Sequence, residues 1–423
     1  MSQKIDIENK KNKNNVKIPE LLVPAGNLKT LKYAVEYGAD AVYIGGKIFN
    51  LRSFGRNFSI NELEEAVNYC HYKNVKVYLT VNSIIFENEI NDLKKYLSQI
   101  KHINFDGFII SDPAVLKLIS SYFKNPNIHI STQVNITNSY GVNLYKELGA
   151  KRINIAREIK FEDLKTIIKN TDIEIEVFIH GALCISYSGR CMLSKYMAGR
   201  DANKGECAHS CRWKYYLMEE ERPNLFFNIV QDNKGTFIYN SRDLCLLPKL
   251  DLLVNAGVSA FKIEGRMKTE SYIAQTVWVY KKALEYIKNN EFNEENINFL
   301  MNELSKCSHR NYTLGFMFLD DYKELEDNEG VGYIKEYRFV GLYDKLNQKY
   351  KKPQILVKNQ FKQGEYIEIL EPFKMPRVVK INEIVIIKNN DDFVSDTANP
   401  NDKVVLKDIE DISPYAILRI KEY

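Results

Sequence analysis

Residues 19–46 read PELLVPAGNLKTLKYAVEYGADAVYIGG, and this stretch holds one complete unit of the pattern that decides the fold. Two short apolar runs, Glu20–Pro24 and Ala41–Gly45, flank a segment, Leu28–Tyr37, in which apolar residues return every three or four positions. Nearly continuous apolar runs are typical of strands buried on both faces of a parallel sheet, and the returning pattern is typical of an amphipathic helix. The stretch therefore predicts a strand, a helix and a second strand.

The same unit recurs along the following chain. A second helical pattern occupies Ile60–Tyr72. Further apolar runs lie at Val75–Val81, Gly107–Ser111, Ile128–Thr132, Arg152–Ala156, Ile173–Ile179 and Ala260–Glu264. Eight strands that alternate with helices predict an α/β fold with a TIM-type (β/α)8 barrel. A doubly wound open sheet is the alternative, but no G-x-G-x-x-G sequence follows the first strand.

The spacing of the strands breaks once, between Ile179 and Ala260, where roughly 80 residues replace an ordinary crossover. We therefore predict a Cys-rich insertion after strand 7 at residues 181–258, inside a barrel domain at residues 18–328. Residues 1–17 are rich in Lys and Asn, which is typical of a disordered lead-in. At residues 329–423 short strands alternate with turn residues, which predicts a small antiparallel β-barrel domain, with a sandwich as the alternative.

The overall composition sets only weak constraints on the partner. The 423 residues include 59 Lys and Arg against 55 Asp and Glu, and the net charge of +4 neither requires nor excludes nucleic acid. No apolar run has the roughly 18 residues that a membrane-spanning helix needs. The first residues lack the apolar core of a secretory signal, so we expect a cytoplasmic protein with no membrane partner.

Five of the seven cysteines lie in the predicted insertion, namely Cys184, Cys191, Cys207, Cys211 and Cys245. In a reducing cytosol, clustered cysteines indicate metal binding or catalysis rather than disulfides. Four thiolates suit either a [4Fe–4S] cluster or a structural zinc ion. Only Cys207 and Cys211 have a spacing close to that of a zinc knuckle, so the wide spacing of the others favours iron and sulfur. Separate buried thiols are the third alternative.

Basic and aromatic residues interleave around these cysteines. Arg190, Arg212 and Trp213 lie in the insertion, and Arg52 and Arg56 lie in a second basic loop after strand 2. Cations can hold phosphates while rings stack on an extruded base, so these five residues are candidates for binding RNA. The alternative is that the rings form a small core of the insertion and the cations face solvent.

Catalytic groups of a barrel belong at the carboxyl ends of its strands. There the sequence places Arg157, His180, Glu264 and Arg266. Arg157 or Arg266 could hold a carboxylate ligand, and His180 could relay protons. The alternative is that Glu264 and Arg266 form a salt bridge and that His180 serves only packing.

One longer stretch is specific for a family. EVFIHGALCISYSGRCMLS at Glu176–Ser194 resembles the signature of the collagenase-like peptidases of family U32. PELLVPAGN at Pro19–Asn27, GADAVYIGG at Gly38–Gly46 and FKIEGRMK at Phe261–Lys268 support the resemblance. It implies an iron–sulfur protein, because better-understood members are iron–sulfur proteins. Those members hydroxylate nucleic-acid bases or ubiquinone precursors without molecular oxygen.

Within the family, the chain most resembles the tRNA hydroxylation branch. That resemblance implies tRNA as partner, prephenate as co-substrate and conversion of the wobble uridine to 5-hydroxyuridine. It carries cluster ligation onto Cys184, Cys191 and Cys207, with Cys245 preferred over Cys211 as the fourth ligand. It leaves open whether a second member of the family pairs with this chain.

Two other functions compete with tRNA hydroxylation. A peptidase finds little support, because the sequence has neither H-E-x-x-H nor G-x-S-x-G, although Cys184 and His180 could be paired as nucleophile and base. A non-enzymatic protein that binds RNA and uses the cluster structurally is the other alternative.

Overall fold

The computed structural model describes residues 17–52, 55–184, 186–213, 218–219, 222–226, 231–232, 235–236, 242–319, 333–388 and 391–422. The predicted lead-in, apart from Lys17, lies outside these residues. The predicted domain boundary at residues 328–329 lies outside them as well.

Eight parallel strands form a closed barrel. They are β1 (Glu20–Pro24), β2 (Ala41–Gly45), β3 (Lys76–Val81), β4 (Gly107–Ile110), β5 (Ile128–Ile130), β6 (Ala150–Asn154), β7 (Glu174–Ala182) and β8 (Ala260–Ile263). Each strand pairs with the next, and β8 pairs in parallel with both β7 and β1, which closes the ring. The predicted TIM-type barrel is confirmed.

Helices cover the outside of the barrel. They are α1 (Leu28–Glu36), α2 (Ile60–Tyr72), α3 (Ile90–Ile100), α4 (Pro113–Tyr122), α5 (Ser139–Glu147), α6 (Phe161–Lys169), α7 (Leu250–Asn255), α8 (Glu270–Asn289) and α9 (Glu294–Ser305). Local chemistry fixes where several of them begin. Ser59 and Glu62 form a capping box at the start of α2, and the Asp112 side chain accepts from the backbone of α4, whose first residue is Pro113.

The chain between β7 and α7 contains the predicted insertion. It has a short helix at Leu193–Ala198 and two 3-10 turns at Ala202–Lys204 and Ser210–Arg212. Two short antiparallel strand pairs follow, Met218–Glu219 with Arg222–Phe226 and Gln231–Asp232 with Gly235–Thr236. The chain then returns as strand Asp243–Cys245, which runs antiparallel to β7 and parallel to Tyr312–Thr313. The end of the insertion is therefore joined to the barrel sheet.

The C-terminal part is an antiparallel sheet of eight strands. In chain order they are Tyr337–Asn347, Lys352–Val357, Tyr366–Leu370, Arg377–Lys380, Ile384–Ile386, Phe393–Ser395, Lys403–Leu406 and Ile417–Lys421. Phe361–Lys362 pairs separately with Thr397–Ala398, and a short helix at Gly315–Phe318 precedes the sheet. Among the described residues no pairing joins the outer strands Arg377–Lys380 and Phe393–Ser395, so the antiparallel prediction is confirmed for the pairing but not for closure into a barrel.

A buried group of charges joins the barrel helices to the C-terminal sheet. Arg419 is 3% exposed, and its guanidinium contacts Glu303 at 2.7 Å, Glu368 at 2.6 Å and the side-chain oxygen of Gln275. Lys306 contacts the same two carboxylates, at 2.5 Å and 2.9 Å. Since Gln275 and Glu303 belong to α8 and α9, this hub connects the two parts of the chain.

We predict that Arg419→Ala lowers the free energy of unfolding by about 3 kcal/mol, because it leaves buried carboxylates with one cation too few. Urea unfolding followed by circular dichroism measures the change. Lys95→Ala, which breaks an exposed pair with Asp92, is the control and should have almost no effect. Equal stabilities of the two variants would contradict the importance of the hub.

Candidate active site at the barrel mouth

A cavity lies at the carboxyl ends of the barrel strands, where catalytic residues of such barrels are found. Three cations and one carboxylate reach it, together with aromatic rings, hydroxyls and amides. Its lining consists of Tyr43, Leu51, Arg52, Thr80, Asn82, Ile109, Ser131, Thr132, Gln133, Phe178, Lys262, Glu264 and Arg266. The arrangement suits a small polar ligand with negative charge.

Arg266 is the cation whose partners are all neutral. Its guanidinium is 7% exposed and donates to Thr80 at 2.7 Å, to Asn57 at 3.4 Å and to the amide oxygen of Asn50. Burial, together with the nearby charge of Arg52, lowers the pKa of Arg266 to about 10. The group therefore remains charged near neutral pH, and an anion would relieve the cost of its burial.

Glu264 pairs with Arg52 rather than with Arg266. The Arg52 guanidinium lies 2.7 Å from the Glu264 carboxylate. Burial alone would raise the pKa of Glu264, but the charge and hydrogen bond of Arg52 outweigh it and hold the pKa below its usual value. In the alternative that the sequence left open, Glu264 would pair with Arg266, whereas in the structure Arg52 from the loop after β2 contacts the carboxylate. Glu264 is thus ionised at neutral pH and is suited to positioning, not to acid catalysis.

A line of buried ion pairs lies below the cavity inside the barrel. The Lys262 ammonium contacts Glu176 at 2.7 Å, and Glu176 also faces Arg152 at 3.5 Å. Arg152 in turn pairs with Glu20 at 2.6 Å. Burial lowers the pKa of Lys262, while Glu176 opposes this effect. The positive charge of Lys262 is therefore already balanced from below.

Arg157 braces the chain that follows β7. It donates to the carbonyl of Ala182 at 3.0 Å and to the hydroxyl of Ser188 at 2.6 Å, and its guanidinium lies over the Phe178 ring. Of the two arginines predicted to hold a carboxylate ligand, Arg266 lines the cavity and Arg157 holds the Cys-containing chain. Of the two, Arg266 therefore lies in this cavity, and the carboxylate-binding role of either arginine stays a prediction.

His180 is packed among tyrosines. Its ring is 2% exposed and lies within 6 Å of the rings of Tyr272, Tyr280 and Tyr312, and its Nδ1 is 3.3 Å from the Tyr280 hydroxyl. Burial lowers the pKa of His180 to about 3. A neutral ring that does not line the cavity has no basis for relaying protons, so these surroundings favour the packing interpretation.

The five clustered cysteines fall into two environments. Cys184 is exposed, and Cys191, Cys207 and Cys211 are half-buried in the chain that covers the mouth. Cys245 is buried, with its sulfur 3.7 Å from the Tyr280 hydroxyl and 3.8 Å from the Met301 sulfur. Burial raises the pKa of the Cys245 thiol to about 11.

A soft metal requires thiolate donors, and the four exposed or half-buried cysteines can supply them. Within the described residues, however, no three or more Cys, His, Asp or Glu side chains are placed so that they could hold a metal ion. The donor set is therefore suitable in kind but is not assembled into a site, and the ligands stay a prediction.

The predicted RNA-binding residues have different placements. Arg52 lines the cavity, Arg56 is exposed, and Arg190 donates to Asn135 at 2.8 Å from an exposed position. Trp213 is 42% exposed. The side chain of Arg212 lies outside the described residues.

Sequence reasoning missed several cavity residues. Thr80 and Lys262 lie inside β3 and β8, Ser131 directly follows β5, and all three belong to apolar runs that predict only strands. A usable signal existed for Lys262, because a lysine in the run AFKIE must either face the barrel interior or pair with a buried carboxylate. Nothing comparable distinguishes Thr80 from an ordinary strand threonine.

The fold and this site define a TIM-barrel protein with a cationic cavity at the mouth and a Cys-rich segment after β7. The chain matches Peptidase family U32 over residues 26–327 and the Peptidase family U32 C-terminal domain over residues 335–419. It belongs to Peptidase family U32.

Three relatives show the range of names in this family. The tRNA hydroxylation protein P1 of Bacillus subtilis (strain 168) is 36% identical over 363 residues, which cover 84% of each chain. The tRNA hydroxylation protein P of Escherichia coli (strain K12) is 32% identical over 397 residues, 84% of this chain and 86% of that protein. The Collagenase of Porphyromonas gingivalis (strain ATCC BAA-308 / W83) is 29% identical over 339 residues, 77% of this chain and 80% of that protein.

None of the helices in the described part of the chain combines the length and apolarity needed to cross a membrane.

We predict that His180 makes the fold acid-sensitive. Between pH 6.5 and 3 the unfolded chain binds a proton at His180 that the folded chain does not, so stability falls as the pH falls. From pH 7 to pH 5 the unaltered protein should lose about 2 kcal/mol more than His180→Gln in urea unfolding. His102→Gln, at an exposed histidine, should behave like the unaltered protein. Parallel pH profiles for the His180 variant and the unaltered chain would overturn this.

Proposed function

We propose that this protein hydroxylates the wobble uridine of tRNA to 5-hydroxyuridine, without molecular oxygen and with prephenate as co-substrate. The observation that carries the proposal is the buried, charged Arg266 in the mouth cavity, held only by neutral oxygens. Relatives named as tRNA hydroxylation proteins, which match over 84% of this chain, supply the choice of tRNA.

Arg266 binds a carboxylate of prephenate in this proposal. A planar guanidinium can donate two parallel hydrogen bonds to a carboxylate, and such charge-assisted bonds are strong in a buried site. Glu264 holds the Arg52 side chain at the rim, so that Arg52 remains next to the entering ligand. Tyr43 and Phe178 provide ring surfaces in the same cavity, and the polar side chains Thr80, Asn82 and Gln133 provide hydrogen bonds.

We further propose a [4Fe–4S] cluster held by Cys184, Cys191 and Cys207, with Cys245 or Cys211 as the fourth ligand. The accessibility of the three thiols supports the first three ligands, because Cys184 is exposed and Cys191 and Cys207 are half-buried. The family resemblance fits either residue, because Cys245 suits the spacing of one branch and Cys211 that of another, and the buried position of Cys245 beside Tyr280 supports Cys211. When bound, such a cluster would supply one-electron chemistry.

A collagenase-like peptidase is the second candidate, because one relative carries that name. The geometry gives it no support. His180, the proposed base for Cys184, contacts Tyr280 and is neutral, and the raised cost of charging it opposes general-base catalysis.

In a strain that lacks the gene, the unaltered chain should restore 5-hydroxyuridine derivatives in total tRNA, measured by mass spectrometry of nucleosides. Arg266→Gln should lower the yield roughly tenfold or more, since a charge-assisted bond contributes about 1.5–3 kcal/mol. Arg266→Lys keeps the charge and should fall between the two. Arg377→Gln, in the C-terminal sheet, is the control for loss of an arginine.

Unchanged tRNA nucleosides after deletion would defeat the assignment. Gelatin cleavage by the purified protein, abolished by Cys184→Ala but kept after iron removal, would favour the peptidase instead.

Protein purified without air should be brown and contain iron and sulfide, and Cys184→Ser, Cys191→Ser and Cys207→Ser should each lose the visible absorption. Comparing Cys211→Ser with Cys245→Ser identifies the fourth ligand, because only the ligand variant should lose iron. Cys70→Ala, at a buried thiol in α2, is the control and should keep full iron content. Colourless protein with stoichiometric zinc would count against the cluster.

A further inference from the structure

Residues 183–184 and 186–213, called here the cover, contact the barrel rim beside the mouth. At the first contact, Asn135 after β5 donates to the carbonyl of Ser188 at 2.8 Å and accepts from Arg190 at 2.8 Å. Gly189 packs so closely on Gln133 that an added Cβ would lie 3.0 Å from its carbonyl oxygen. This end of the cover therefore has a defined position on the rim.

The other end of the cover is fixed to two more rim loops. At Gly205 an added Cβ would lie 2.7 Å from the carbonyl oxygen of Asn50, in the loop after β2. Lys204 pairs with Glu89 and lies 4.4 Å from the centre of the Phe86 ring, both in the segment after β3. The cover thus contacts the rim loops that follow β5, β2 and β3, and these contacts fix its position relative to the cavity.

The outer surface of the cover is unusually rich in exposed aromatic side chains. Tyr187 is 51% exposed, Tyr196 is 83% exposed and Trp213 is 42% exposed. Met192 and Met197, at 48% and 46%, are exposed apolar side chains of the same segment. Tyr187 and Tyr196 therefore present at least half of their surface to solvent, which favours a binding surface over a core of the insertion for these two rings.

Cations are interspersed with these rings. Arg190, Lys195 and Arg200 are all exposed on the same segment. Apolar side chains alone would suit a protein partner, but exposed rings alternating with Arg and Lys match the chemistry of single-stranded nucleic acid. In that chemistry each base stacks on a ring while the cations contact the backbone.

We propose that the outer surface of the cover is a stacking platform for the unpaired bases of an RNA loop, with Tyr187, Tyr196 and Trp213 as the rings. The inference rests on the proposed function, because it names how the RNA substrate is held beside the cavity. A loop presents splayed bases, whereas a duplex hides its base faces, so the platform selects loops over helices. One further nucleotide can then turn into the mouth while its neighbours remain stacked outside.

The chain offers a direct optical test. It has two tryptophans, and Trp278 is 4% exposed whereas Trp213 belongs to the platform. Titration with an unmodified anticodon stem-loop RNA should quench the fluorescence of Trp213 and leave that of Trp278, measured alone in Trp213→Phe, unchanged. A fully paired RNA duplex of equal length should quench far less, and added salt should weaken binding of the stem-loop.

Tyr196→Ala and Tyr187→Ala should each weaken stem-loop binding about tenfold, as expected for loss of one stacked base. Tyr140→Ala is the matched control, because Tyr140 is an 88% exposed tyrosine on α5, outside the cover. All three are surface changes, and thermal melting checks that each variant is folded.

Equal affinities for duplex and stem-loop, or equal effects of Tyr196→Ala and Tyr140→Ala, would overturn the platform. So would self-association of the protein that is lost in Tyr196→Ala while RNA binding persists, because the surface would then be a protein interface. These results are separable from the proposed function. If cells that carry Tyr196→Ala keep normal 5-hydroxyuridine levels, the platform is rejected and the hydroxylase function stands. If the platform binds RNA but gene deletion leaves the tRNA nucleosides unchanged, the hydroxylase function is rejected and the platform stands.

Discussion

The ion pairs inside the barrel are the constraint on which the rest of the structure depends. Arg152 on β6 reaches Glu20 on β1, and Lys262 on β8 reaches Glu176 on β7, so the strands on either side of the closure are tied by buried charges. Buried charges without partners are costly, so each member holds the others in place. Because Lys262 is neutralised from below, Arg266 is left as the cation that faces the cavity with neutral partners only.

Much of the barrel could be predicted from the sequence, since strands buried on both faces give nearly continuous apolar runs. The bounds predicted for β1 and β2 are those observed. The prediction for β6 was two residues too late, because its pairing with β5 has an irregularity after Ile128 that no local pattern records. Whether the C-terminal strands close into a barrel could not be predicted for the same reason, since strand pairing is a long-range property.

The site was only partly predictable. The position of Arg266 and Glu264 at a strand end followed from the barrel, but the partner of Glu264 is Arg52, which is 212 residues away in the chain. The spacing of the cysteines also could not show that Cys245 is buried against α8, whereas the other four clustered cysteines are exposed or half-buried. The burial of His180 away from the cavity was equally unpredictable, because the tyrosines around it come from α8 and from the chain after α9.

The hub around Arg419 has a consequence for how the two parts of the chain can be handled. Leu342, Leu370 and Ile417 of the sheet belong to the same apolar core as the barrel helices, and Tyr37 and Trp278 donate to backbone carbonyls of the sheet at 2.9 Å. A barrel without the sheet would expose Glu303, Lys306 and the apolar surface around them to solvent, and it would tend to aggregate. The barrel and the sheet therefore need to be purified together, because each buries apolar and charged side chains of the other.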